Sequence, residues 1–248
     1  MKTVRKKTNW ETTNNRFVAF FDILGFKELV MRNTHKDIYE TLYKIAQERH
    51  KLENMSNEHD FDLEDFMDSD IYIVNFSDSI IIFSKNDDLN NFNYFNFIVT
   101  YLFSYIIDLG LPVKAGTAHG EISVNQEAQI YFGQPIIDAY LIEEDVNYLG
   151  IVAHHSIDNY HKDLSNDEKL QLTVDFFTTK TPMKSGMITH INYNWFREYF
   201  SINSLPASVE NFNQKLNLFN YTVSGSPRRY IDNTKDLFNR AFSEKLIK

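Results

Sequence analysis

The sequence predicts an α+β domain, a ferredoxin-like mixed sheet packed by helices with a C-terminal elaboration. Three observations predict it. Apolar segments of strand and helix length follow one another in the order β-α-β-β-α-β through roughly residue 145. Apolar residues make up 43% of the chain and aromatics 15%, with 21 Phe and 14 Tyr, enough to bury a substantial core. No Pro-, Gly- or Ser-rich linker and no internal repeat divides the 248 residues. Residues 1–15 are therefore read as an N-terminal extension and residues 16–248 as one domain, with a core at 16–152 and the elaboration at 153–248.

Arg16–Phe21 reads as a strand, Asp22–Gly25 as a turn, and Phe26–Glu48 as a helix with Leu29, Val30, Ile38, Leu42 and Ile45 near helical spacing. Leu52–Asp70 carries eight acids and no Lys or Arg. It reads as a solvated loop, because it lacks the alternation and central Gly of a calcium-binding loop. Ile71–Phe76 and Ile80–Ser84 flank Ser77-Asp78-Ser79 as a hairpin. A helix over Phe92–Ile107 ends before Gly110-Leu-Pro112, and Val113–Ile122 is a strand whose small residues suggest close backbone approach. Tyr131–Pro135 leads into a helix at Ile136–Glu143. Beyond residue 150 the pattern gives short helices at His154–Tyr160 and Asp167–Leu172, a strand at Met187–Tyr193 and a helix at Val209–Leu218.

Composition excludes several functions. The chain has no cysteine, so disulfides, thiolate catalysis and zinc–thiolate sites are ruled out, and a cytoplasmic location is expected. The basic N-terminus MKTVRKKTNWETTNN lacks the apolar run of a signal peptide. A net charge of −9 argues against nucleic-acid binding, though not against one nucleotide held through metal ions. Phe92–Ile107 has no charged residue, yet Asn93, Asn96, Thr100 and Ser104 form a polar stripe and the run is shorter than the ~20 residues of a bilayer span. A buried helix is expected there, and no membrane insertion.

The chemistry centres on two aspartates. FVAFFDILGF (17–26) and VNFSDSIIIF (74–83) are apolar runs, each interrupted by one acid where a strand should end. Taken alone, Asp22 reads as a helix cap and Asp78 as a turn residue. Taken together, two isolated carboxylates on strands that one sheet can pair are costly unless a divalent cation compensates them. The backbone N–H groups of Leu24, Gly25 and Phe26, at the start of a helix, would then face phosphate oxygens. Other conspicuous residues have plainer readings: His119 as a surface or satisfied histidine, His154-His155 as a helix start, and Arg228-Arg229 as a solvated pair.

FVAFFDILGF resembles the Phe-x-Asp-Ile-x-Gly-Phe motif of class III nucleotidyl cyclases, SDSI their second metal aspartate in its hairpin, and KAGTAHGEI the strand that usually reads Arg-x-Gly-x-x-x-Gly-Glu. Within that family the chain is similar to the bacterial pyrimidine cyclases of the anti-phage Pycsar systems. The further matches are Ala139-Tyr140 with Glu143, Pro182–Gly186 ahead of a strand ending near Trp195, and Asn233-Thr234 with Phe238. The resemblance implies two Mn²⁺ or Mg²⁺ ions, one held by Asp22 and Asp78, the other by the same acids and the Ile23 carbonyl. It also implies a homodimer with a shared site, and conversion of a pyrimidine nucleoside triphosphate to a 3′,5′-cyclic monophosphate, chiefly cyclic UMP, read by a downstream cyclic-nucleotide-activated effector.

The departures from the family bear on specificity and turnover. Purine cyclases read the base with polar side chains at positions that are Val74 and Ile130 here, and neither can hydrogen-bond a purine. The transition-state Asn and Arg of the family fall on Ile137 and Leu141, and no Arg occurs in Gly133–Gly150. That leaves Lys114, Lys184, Arg228 and Arg229 as cation candidates. A rival reading is a degenerate nucleotide-binding or dimerisation module; a purine cyclase is the weaker third.

Overall fold

The computed structural model describes residues 10–53, 69–172, 174–219 and 227–247. The first half comprises β1 (Thr13–Ile23), α1 (Phe26–Arg32), α2 (His35–Glu53), β2 (Ile71–Phe76), β3 (Ser79–Ser84), α3 (Leu89–Asp108) and β4 (Val113–Asn125). There follow β5 (Ile130–Phe132), α4 (Gln134–Asp145), β6 (Ile151–Ala153), α5 (His155–Asp163) and α6 (Asn166–Leu170). The chain ends with β7 (Phe176–Met183), β8 (Gly186–Tyr193), α7 (Trp195–Ile202), α8 (Val209–Phe219) and α9 (Arg228–Ser243). The strands form one mixed sheet in the order β2-β3-β1-β4-β6-β8-β7, with β5 paired to the far end of β4. β1 lies between β3 and β4 and is antiparallel to both, whereas β4 and β6 run parallel.

Alternation along β1 divides the sheet into two faces. Phe17, Ala19, Phe21 and Ile23 point to one face, where α3 lies. Phe92 and Phe95 of α3 pack on Phe17 at 4.7 and 5.7 Å, and Phe103 on Phe21 at 6.1 Å. α3 is itself covered by α7, with Trp195 4.9 Å from Phe103. Burial of such a ring contributes about 1.5–3 kcal/mol, so this layer carries much of the stability. Double coverage explains why α3 is apolar nearly all round, and its polar stripe bonds inside the protein. Asn93 donates to the Gln171 carbonyl (3.0 Å), Thr100 to that of Asn96 (2.9 Å) and Ser104 to that of Trp195 (3.1 Å). No described helix is long and apolar enough to cross a membrane.

The opposite face carries Val18, Phe20 and Asp22 of β1 and Lys114, Gly116 and Ala118 of β4. Here α4 lies directly on Gly116, where an added methyl would collide with the Ala139 carbonyl and the Ile142 side chain. The helices thus occupy both faces of the sheet. α4 lies over β4, β1 and β6 and does not extend over β2 and β3, where the face is open and Val74 and Ile81 are half-buried.

Other differences have local causes. The helix predicted over 26–48 is two helices, because the Thr34 hydroxyl accepts from the Asp37 amide (3.2 Å) and starts α2 afresh. α2 continues to Glu53, so Leu52 and Glu53 are helical instead of opening the acidic loop; residues 54–68 of that loop lie outside the described residues. Carboxylates shield the outer edge of the sheet, as Glu53 accepts from the Ile73 amide and Asp70 from the Ile71 amide, each at 2.9 Å. β1 begins at Thr13 and so takes in the last three residues of the predicted N-terminal extension. Residues 153–248 add β7 and β8 to the same sheet, and α7 and α9 to the helical layer; β5, β6, β7, α7 and α9 have no counterpart among the predicted elements.

Candidate active site

β1 and β3 deliver the two aspartates to one end of the open face. Asp22 is the penultimate residue of β1, in register with Ser79 of β3 and Lys114 of β4. Asp78 occupies the two-residue β2–β3 turn, whose other member, Ser77, is held left-handed at φ 57°. The turn closes on β1 through the Ile23 amide, which donates to the Asp78 carbonyl at 3.0 Å. Both acids are half-buried. Burial raises the Asp22 pKa above the usual carboxylate range; Lys114 opposes the rise, Asp78 adds to it, and Lys184 opposes it more weakly.

The amides expected to face phosphate divide in two. Leu24 is committed: its N–H donates to the Pro112 carbonyl at 2.8 Å, so it is not an outward donor. That bond anchors the start of the strand-to-helix reversal. Gly25 and Phe26 stand at the α1 N-terminus, Gly25 left-handed at φ 73° and accepting from the Leu29 amide at 2.9 Å. An L-residue would be strained at Gly25.

Around the acids lies a cluster of charged side chains. The Lys114 ammonium sits 2.9 Å from Glu143 Oε1, with side chains only 4% and 3% exposed. It also donates to the Glu143 and Glu144 carbonyls, at 2.9 and 3.3 Å. Burial pushes the Glu143 carboxyl up to about 7 despite Lys114, with Asp22 adding to the rise. Lys184, in the β7–β8 turn, is close enough to favour ionisation of both Asp22 and Glu143. That turn is fixed to the end of α4. The Lys184 amide donates to the Asp145 carbonyl (2.6 Å), the Ser185 amide to the Asp145 carboxylate (2.9 Å), and the Ser185 hydroxyl to the same carboxylate. Arg228 and Arg229, at the start of α9, are not among the charges acting on Asp22 or Glu143.

Val74, one of the positions that depart from the family motifs, lies on the open face. β5 crosses toward β2, where the Tyr72 and Tyr131 hydroxyls meet at 2.9 Å. Val74 shares the Tyr72 face of β2, whereas Ile130, in register with Asn125, alternates with Tyr131 and points to the other side of the sheet. Ile137, Tyr140 and Leu141 project from α4, with Tyr140 5.3 Å from Phe20. Phe76, Ile137 and Leu141 are 81%, 52% and 53% exposed, a concentration of apolar surface beside the acids.

Other singled-out residues are accounted for structurally. His119 bonds to Asp87 at 3.0 Å and stacks on Phe17. His154 caps α5. Asn233 and Thr234 tie α9 to the segment after α4, Asn233 donating to the Asn147 carbonyl (2.6 Å) and Thr234 accepting from the Leu149 amide (2.8 Å).

The donor set fits a hard divalent cation: two half-buried carboxylates, with the Asp22 pKa raised by burial and further by Asp78, and a strand-end backbone between them. Among the described residues no group of three His, Cys, Asp or Glu is arranged to hold a metal ion. Two carboxylates are what a cation completed by phosphate oxygens and water requires, as Mg²⁺ commonly is.

Among solved structures the chain is similar to the catalytic core of a rhodopsin-guanylyl cyclase with converted specificity, solved in complex with ATPαS. The TM-score is 0.51 at 14% identity, over 75% of this chain and 98% of that one. A bacterial light-regulated adenylyl cyclase gives a TM-score of 0.49 at 10% identity, over 78% of this chain and 99% of that one. The guanylate cyclase domain of a Catenaria anguillulae protein gives 0.47 at 13%, over 74% and 97%. No protein-family model and no curated protein sequence matches this chain. The fold is similar to that of the guanylyl cyclase catalytic core, an α+β architecture with a mixed sheet packed by helices.

Proposed function

We propose that this protein is a nucleotidyl cyclase that converts a pyrimidine nucleoside triphosphate, UTP before CTP, to its 3′,5′-cyclic monophosphate and pyrophosphate. The observation that carries the reading is the convergence of Asp22 and Asp78 at adjoining strand ends of a cyclase fold. Asp22, Asp78 and the Ile23 carbonyl would hold two divalent cations, Mn²⁺ or Mg²⁺. When bound, these supply acidification of the ribose hydroxyl and screening of the triphosphate charge. The chain's own residues orient the substrate. The Gly25 and Phe26 amides at the α1 N-terminus receive phosphate oxygens, and Lys184 brings a positive charge to the site. Lys184 is preferred over Lys114 as that cation because Lys114 is buried and already held by Glu143 and two carbonyls.

Base selection follows from Val74 on the open face. A purine edge against apolar side chains would leave polar groups unsatisfied, at about 1–3 kcal/mol each, which disfavours ATP and GTP. The exposed apolar surface of Phe76, Ile137 and Leu141 supports a homodimer that encloses the site and excludes water. The product would act on a cyclic-nucleotide-activated effector, as in the anti-phage systems the sequence resembles. Ile137 and Leu141 also favour a second reading, a cyclase fold that binds nucleotide without turnover. Incubating purified protein with each of four radiolabelled triphosphates and Mn²⁺, then separating products by chromatography, distinguishes them. Cyclic UMP is expected as the main product. Faster turnover of ATP or GTP would replace the pyrimidine reading, and nucleotide binding with no cyclic product would leave the binding module.

A further inference from the structure

Lys114 has two acidic neighbours. Asp22 is its in-register partner on β1, on the same face of the sheet, and Glu143 reaches it from α4. A buried ammonium in contact with Asp22 would occupy the position a cation must take. Instead it is drawn the other way, to Glu143 Oε1 and the carbonyls of Glu143 and Glu144. The last turn of α4 makes this direction favourable. It bears Glu143, Glu144 and Asp145 and no basic residue, an unfavourable arrangement at the negative end of a helix dipole that Lys114 relieves from outside. The Lys114 ammonium and the Glu143 carboxylate form a buried 2.9 Å ion pair, so Glu143 holds Lys114 through its charge. Among the described residues no hydrogen bond or ion pair engages the Asp22 carboxylate.

We propose that Glu143 is a positioning residue that holds the Lys114 ammonium on the α4 side and so keeps the Asp22 carboxylate available to a divalent cation. Neither residue touches substrate in this account. The inference rests on the assignment of Asp22 as a cation ligand and adds what keeps that ligand free. Removing the Glu143 charge leaves Lys114 with one acidic neighbour, Asp22, and the ammonium then competes with the metal. Removing the ammonium as well ends the competition.

The test is Mn²⁺ binding to the full-length, nucleotide-free protein, followed by calorimetry at pH 8, with far-UV circular dichroism verifying the fold of each variant. Glu143→Gln should weaken Mn²⁺ binding by about fivefold, a modest electrostatic effect over this separation. Lys114→Met combined with Glu143→Gln should return it to within about twofold of wild type, since the competing charge is gone. A purely structural role for Glu143 predicts the opposite, with the double variant as weak as the single one or weaker; that result, or unchanged affinity in Glu143→Gln, overturns the proposal. Should Glu143→Gln not fold, Glu143→Asp replaces it, with an intermediate weakening again relieved by Lys114→Met. Mn²⁺ affinity indifferent to Asp22→Ala would remove the cation assignment itself and the proposal with it, a failure distinct from an Asp22-dependent site that ignores Glu143.

Discussion

The two faces of the sheet are built from alternate residues of the same strands, yet they differ in nearly every property. On the α3 face Phe17, Phe21, Ile80 and Ile82 are fully covered and no acid interrupts them. On the α4 face the alternate residues include Phe20, Asp22, Ile81 and Lys114, and the covering helix stops short of β2 and β3. One face carries the cost of ordering the chain; the other has room for charge and exposed apolar side chains because the first suffices. Buried acids with raised pKa values and exposed Phe and Ile are liabilities in a domain that only needs to fold, and they coincide here on one surface.

Substitution on the closed face should have the largest effect on stability. Phe103→Ala removes a ring wedged between Phe21 and Trp195 and should cost about 3–5 kcal/mol, read as a large fall in melting temperature. A loss no larger than that of an exposed substitution would erase the distinction between the faces.

The next effect concerns pH and comes from the open face. Glu143 has a folded pKa of about 7 against an ordinary 4.5. Between those values the folded state keeps a proton that the unfolded chain has lost. Stability from this group is therefore complete below pH 4.5 and falls as pH rises to about 7, by up to roughly 3 kcal/mol. Asp22 contributes in the same direction. Subtracting the melting profile of Glu143→Gln from that of the wild type, both metal-free, should expose that decline. A difference independent of pH would mean that Glu143 is not held protonated by burial.

A smaller effect is expected at the turn that presents Asp78. Ser77 pays for its left-handed backbone, so Ser77→Gly should stabilise the fold by about 0.5–1 kcal/mol in chemical denaturation. Destabilisation would show that the Ser77 side chain offsets the strain. The smallest change in stability, within about 0.5 kcal/mol, is expected from Phe76→Ser and Ile137→Asp. Light scattering should nevertheless find these variants monomeric, against the dimer expected of the wild type. An unchanged oligomeric state would assign the exposed apolar surface to something other than self-association.

The contrast between faces also explains what could be read in the sequence. Strands β1 to β4 and helix α3 were legible because each has a continuous apolar core bounded by a turn or by Gly and Pro. The two aspartates were legible for the same reason, as lone acids in apolar runs. β6 is three residues long, too short to show a period, and β7 carries Pro182, which an edge strand tolerates. The break before α2 was signalled by Thr34 with Asp37 three residues on. α9 was signalled by Ile231, Thr234, Leu237, Phe238 and Ala241 at helical spacing. At the site, the spacing that puts Leu24 at a helix start cannot reveal that Pro112, far along the chain, takes its amide. Nor can it reveal that Lys114, Glu143 and the β7–β8 turn converge on Asp22, because such contacts belong to the tertiary fold.

The most direct test of the account is to measure cyclic-nucleotide formation and thermal stability together in Asp22→Ala and Asp78→Ala. Product formation should disappear in both variants. Melting temperature of the metal-free protein should hold or rise, since removing either acid relieves the repulsion between them. Retained turnover in Asp78→Ala would contradict the two-aspartate centre.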